Sequence, residues 1–118
     1  MDNIDKAVDM IVEQRGKTIT PTVIMRSKDL LRALLTNDIK RIQTAASRLV
    51  TVDDNKHLGD VVMEFGDAIE ADDQEGIDQS MEWLALYAMN ILDPSGSRMG
   101  EPRATDPNSI KAILAKHE

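Results

Sequence analysis

Asp60, Glu64 and Asp67 stand at i, i+4 and i+7, so on a helix their three carboxylates share one face. Asp78 and Glu82 repeat the i, i+4 step further along the chain. Carboxylates in rigid rows can hold a divalent cation. A cation held in this way can orient phosphates for hydrolysis. The same rows have a plainer and far commoner use as a solvated, charged helix face. Residues 57–92 contain no Lys or Arg that would hold a phosphate beside the carboxylates, which weighs against the metal reading.

All-α, Mg-dependent nucleotide pyrophosphohydrolases pair two carboxylate motifs on adjacent helices. Asp78 and Glu82 do not make a clear second motif of that kind, and such an enzyme is expected only if Asp60, Glu64, Asp78 and Glu82 converge within metal-binding distance. Other catalytic patterns are missing. The chain has no Cys, which removes thiolate catalysis, disulfides and cysteine metal sites. His57 and His117 are its only histidines, too few for a zinc centre. Neither a Gly-x-Ser-x-Gly elbow nor a Gly-rich phosphate loop occurs. A calcium loop beginning at Asp53 would use Asn55 and Glu64, but Leu58 falls where the sharp turn needs Gly. A loop beginning at Asp54 places Gly59 correctly and then puts Lys56 and Phe65 at ligand positions. Neither register works, and the residues point to no catalytic group, no metal and no cofactor.

Charge is the stronger lead. The chain of 118 residues carries a net −7, unevenly spread. Residues 53–85 hold eleven acids and one base, whereas residues 15–48 hold eight bases and two acids. Segregated charge makes a directed field that steers and orients partners. The segregation follows a repeat. At a spacing of 35, Leu30 pairs with Phe65, Ala33 with Ala68, Leu34 with Ile69, Asp38 with Asp73, Ile42 with Ile77 and Leu49 with Leu84. The first copy, 29–50, carries Arg32, Lys40, Arg41 and Arg48; the second, 64–85, carries eight acids and no base. The period is close to that of tetratricopeptide hairpins, but their Trp, Gly and Tyr positions are not reproduced, and two copies are too few for a solenoid.

The elements that must position these groups are helices. Apolar residues recur at helical spacing in five or so segments, and no segment alternates at period two, so the fold class expected is an all-α bundle built around two αα-hairpins. A first helix is expected near residues 3–15, with Gly16 as its stop. Thr20-Pro21 opens a helix reaching about Leu35, unless Ser27 caps a fresh start. Asp38 caps the next helix, and Asp72-Asp73 turns between helices over about 57–70 and 74–92. From Trp83 onward the last of these is apolar nearly all round, which suits either the centre of the domain or a subunit interface. Residues 1–92 are therefore expected to form the bundle, 93–109 a linker holding three of the four prolines, and 110–118 a short helix or tail that docks through Ile110, Ile113 and Leu114. Aromatic residues make up 3% of the chain, so aliphatic side chains and seven Met must fill most of the core.

These features favour a non-enzymatic protein–protein interaction module, regulatory or assembly in type, whose acidic face meets a basic partner surface. It would compete there with nucleic acid, because rows of carboxylates mimic a phosphate row. The expected contact residues are Asp60, Glu64, Asp67, Glu70, Asp73, Asp78 and Glu82, with Trp83, Tyr87 and Met89 as apolar anchors. The alternative is a self-assembling scaffold, a homodimer sealed by residues 83–92. Direct nucleic-acid binding is disfavoured by the net negative charge and the absence of aromatic residues among the bases. The acidic N-terminus lacks the basic and apolar regions of a signal peptide, and the longest apolar run is about half a bilayer span, so a cytoplasmic address is expected.

Overall fold

The computed structural model describes residues 20–53, 56–92 and 104–116. Within them the chain forms five helices and no strand: α1 (Pro21–Thr36), α2 (Ile39–Val52), α3 (Lys56–Glu70), α4 (Gln74–Leu92) and α5 (Pro107–Lys116). The all-α bundle read from periodicity is the fold observed. The helix expected near 3–15 and residues 93–103 of the linker expected over 93–109 lie outside the described residues, and the last three residues of that expected linker are helical.

Local chemistry explains the boundaries. Pro21 occupies the first turn of α1, where a missing N–H costs nothing, and Thr20 accepts a hydrogen bond from the Val23 amide at 3.2 Å. Ser27 does not restart the helix. It is buried, and its hydroxyl donates to the Val23 carbonyl at 2.8 Å, so α1 runs through unbroken. Asp38 caps α2 by accepting from the Lys40 and Arg41 amides. The C-terminal helix begins at Pro107 rather than near Ser109, because Asp106 acts as its cap and accepts from the Asn108 amide at 2.9 Å. Pro107 then sits in the first turn, where Pro is favoured.

Packing follows the apolar stripes. α1 and α2 form one antiparallel hairpin, and α3 and α4 the other. α4 lies at the centre, packed most extensively on α1 and α3. Every residue from Leu84 to Leu92 is buried, so of the run 83–92 expected as an alternative dimer seal only Trp83 reaches the surface. α5 lies across α1 and α4, with Ile110, Ile113 and Leu114 buried. At roughly 1.5–3 kcal/mol for each fully buried large apolar side chain, this docking is what holds a helix too short to stand alone. Among the described residues no helix is long and apolar enough to cross a membrane.

Candidate functional site

Among the described residues the most exposed large apolar side chain is Met63, at 68%. Its neighbours on the surface of α3 are Asp60, Glu64, Asp67 and Glu70, all exposed. At about 100° per residue these five positions span roughly a third of the helix circumference, on the side opposite Leu58, Val61, Phe65 and Ala68, which face the core. The outer face of α3 is thus a ridge with one apolar side chain among four carboxylates. Met63 was not among the residues singled out from the sequence, although a signal was there. It falls off the apolar stripe of its own helix.

Beside the ridge, α3 and α4 enclose an open groove of about 540 Å³, lined by Glu64, Asp67, Ala68, Ala71, Asp73, Gly76, Gln79, Ser80 and Trp83. Three of these are acids and none is a base. Gly76 opens the floor. A Cβ there would lie 2.7 Å from Asp73 Oδ2 and 3.1 Å from Ala68 Cβ. Asp73 is held in place by accepting from the Gly76 amide at 3.2 Å. Trp83 is half-buried at the far end of the groove. Its ring meets that of His57 edge-on, with centroids 4.9 Å apart. Behind it, His57 Nδ1 is hydrogen-bonded to the Tyr87 hydroxyl.

The structure divides the expected contact residues into three groups. Asp60, Glu64, Asp67, Glu70 and Asp73 are exposed on or beside the ridge and groove, and Trp83 is accessible from the groove. Asp78 and Glu82 are half-buried and engaged within the chain. Asp78 accepts from Gln74 Nε2 at 2.9 Å. Glu82 accepts from the Ala104 amide and from the Thr105 hydroxyl, the latter at 3.1 Å, and so ties the start of the C-terminal segment to α4. Tyr87 and Met89 are both 0% exposed and belong to the core, so no partner can touch them while the bundle is intact. Their residue types suggested anchors, but their positions, past the point where α4 is enclosed on every side, decide otherwise.

Among the described residues no three His, Asp or Glu side chains come close enough to hold a metal ion. Asp60, Glu64, Asp78 and Glu82 therefore do not converge into the carboxylate set that the pyrophosphohydrolase-like reading needs. The calcium template fails on backbone grounds as well, since Lys56 to Glu64 is helix rather than loop.

The first hairpin carries a matching groove of opposite charge. Between α1 and α2 lies a depression of about 430 Å³, lined by Asp29, Arg32, Ala33, Lys40, Arg41, Thr44, Ala45 and Arg48. Seven of these eight residues have, 35 positions on, a residue that lines the acidic groove. Asp29 corresponds to Glu64, Arg32 to Asp67, Ala33 to Ala68, Arg41 to Gly76, Thr44 to Gln79, Ala45 to Ser80 and Arg48 to Trp83. Small residues on both floors let the helices approach, and the rims differ in charge. Compared with protein-family models, curated proteins and solved structures, the chain matches none of them.

Proposed function

We propose that this chain is a non-enzymatic protein–protein interaction module whose acidic hairpin docks on a basic surface of a partner protein. The observation that carries this reading is the ridge of α3, where Met63 stands 68% exposed among Asp60, Glu64, Asp67 and Glu70. Scattered surface apolar residues are ordinary. An apolar side chain ringed by charges of one sign, next to a groove ending in a half-buried Trp, is the arrangement of an interface with an anchor and a rim. The carboxylates would draw in and orient the partner, and Met63 and Trp83 would supply contact area. The groove suits an inserted Lys or Arg, with carboxylates for its head and the Trp83 ring beside it. A partner surface evolved for nucleic acid would be occupied in competition with it, with release of counterions.

The test compares the natural chain with an Asp60→Lys, Glu64→Lys, Asp67→Lys variant, using a partner captured from the host and then purified. Binding is measured at about 0.05 and 0.2 M salt, a range over which charge-driven affinities change strongly. Trp83, the only Trp, reports occupancy of the groove by its fluorescence. The expected result is a loss of affinity above about ten-fold and a flatter salt dependence. Met63→Ser should weaken binding and leave the salt dependence as it was. Unchanged affinity and salt dependence in the triple variant would overturn the proposal.

A further inference from the structure

We infer that the groove between α1 and α2 is a binding site for a small ligand bearing two or more phosphoryl groups. Arg32, Lys40, Arg41 and Arg48 all line it, and all four are exposed. Arg32 is 3.5 Å from Asp29, and Asp29 also pairs with Arg26. Among the described residues Lys40, Arg41 and Arg48 make no ion pair. Like charges left together around a concavity repel one another, and an anionic occupant relieves that repulsion.

The fold does not demand these bases. The equivalent groove of the second hairpin has small residues at matching positions and a turn of the same left-handed backbone, with Asp67, Gly76 and Trp83 at the positions of Arg32, Arg41 and Arg48. One scaffold thus tolerates either charge, and the bases serve something other than packing. Arginine forks match phosphate oxygens in bidentate geometry. The Thr44 hydroxyl on the groove wall adds a donor.

Shape and charge select among anions. Lys40, Thr44 and Arg48 follow one another at i, i+4 and i+8, a row about 12 Å long on α2. A single phosphoryl group meets one end of that row, whereas a chain of two or three spans it. A cavity of about 430 Å³ is the size of a small-molecule site. No aromatic ring lines it to stack a base, and a chain of net −7 repels a long polyanion. The acidic groove of a second copy is itself concave and cannot seat in another concavity. This inference rests on the first hairpin alone and stands independently of the partner-docking proposal.

The test is isothermal titration of the full chain with inorganic tripolyphosphate at about 0.1 M NaCl. Orthophosphate, a short DNA duplex and sedimentation of the chain alone form the comparison arms. Expected are a Kd below about 1 mM for tripolyphosphate and binding at least about ten-fold weaker for orthophosphate. The Arg41→Gln, Arg48→Gln double variant should lose at least about ten-fold, whereas Lys111→Gln, a change to an exposed base on α5, should lose less than about two-fold. Both arginines are exposed, so the double variant should fold, and circular dichroism checks this. A Kd above about 1 mM overturns the inference, as does orthophosphate binding less than about ten-fold weaker than tripolyphosphate, or equal loss in Lys111→Gln. It also fails if DNA or a second copy of the chain engages Arg41 and Arg48 more tightly than tripolyphosphate does.

Discussion

Asn37 and Asp72 stand 35 residues apart and adopt nearly the same left-handed backbone, with φ of 56° and 54°. Each ends the first helix of its hairpin and is followed by an Asp that caps the second. Asp38 accepts from the Arg41 amide at 3.3 Å, and Asp73 accepts from the Gly76 amide at 3.2 Å. The Asn37 amide donates to the Leu34 carbonyl and the Asp72 amide to the Ile69 carbonyl, again 35 apart. The repeat is therefore written in backbone geometry and capping as well as in apolar spacing, and the charge inversion lies on top of it.

One difference between the turns makes a prediction. In the second turn the Asp73 amide bonds directly to the Ala68 carbonyl at 2.9 Å, closing a Schellman motif. In the first turn the Thr36 hydroxyl stands between the equivalent groups, donating to the Ala33 carbonyl and accepting from the Asp38 amide. Ala71 occupies the position of Thr36 and shows that the turn closes without a hydroxyl. Thr36→Ala should therefore cost less than about 0.5 kcal/mol, below the usual worth of a hydrogen bond. Asp38→Ala, which strips the cap of α2, should cost about 1 kcal/mol. Urea denaturation distinguishes the two, and an equal loss in both would refute the argument.

The left-handed residues themselves can be improved. An L-residue at positive φ pays a steric penalty that Gly does not, and Asn suffers it less than most. Asp72 also sits beside Asp73 and Glu70, like charges in an already acidic turn. Asp72→Gly should stabilise the chain by about 0.5–1 kcal/mol, with Asn37→Gly gaining less. Asp72→Val should destabilise by more than about 1 kcal/mol, because a β-branched side chain fits positive φ worst. The midpoint of thermal unfolding reports the order.

The bundle was readable because its signals are local. Asp38 beside the apolar set Ile39, Ile42, Ala45, Ala46 and Leu49 marks the start and inner face of α2, and Asp72-Asp73 marks the second turn. The central place of α4 was readable too, since a helix apolar on every side must be surrounded. The functional surface was less so. Exposure depends on how each helix is rotated against its neighbours, which no single segment records. Tyr87 and Met89 have the residue types of anchors and lie in the core, whereas Met63, of the same type as Met89, stands exposed on the surface of α3. The engagement of Glu82 with residues 104–105 spans more than twenty positions and involves a segment that composition marks only as Pro- and Gly-rich.

Two of the helical glycines, Gly59 and Gly76, should respond oppositely to alanine. At Gly59 a Cβ meets nothing within 4 Å, so Gly59→Ala gains helix propensity and should stabilise by about 0.5–1 kcal/mol. At Gly76 the same methyl would sit 2.7 Å from the carboxylate that caps α4 and 3.1 Å from Ala68 on α3. Either the cap bond or the spacing between α3 and α4 must give, which outweighs the propensity gain. Gly76→Ala should lose about 1 kcal/mol. It should also shift Trp83 fluorescence, because the groove floor rises beneath it. Stabilisation by both variants would show that helix propensity dominates at both.

The Glu82 carboxylate is the polar fastening of the C-terminal segment. The Ala104 amide that donates to it belongs to a residue only 3% exposed, so removing the acceptor strands a buried donor. The Thr105 hydroxyl loses its partner at the same time. Glu82→Ala should cost about 1–3 kcal/mol, concentrated where the fastening acts. α5 keeps Ile110, Ile113 and Leu114 as apolar contacts, but a ten-residue helix depends on both kinds of hold. Amide exchange in residues 104–116 should accelerate while α1, α2 and α3 keep their protection. Exposure of the part of α4 that α5 covers should raise the binding of an apolar dye. Glu82→Gln, which retains an acceptor oxygen without the charge, should fall between the natural chain and Glu82→Ala. Uniform acceleration across all five helices would instead mean that Glu82 supports the whole bundle rather than the docking of its last helix.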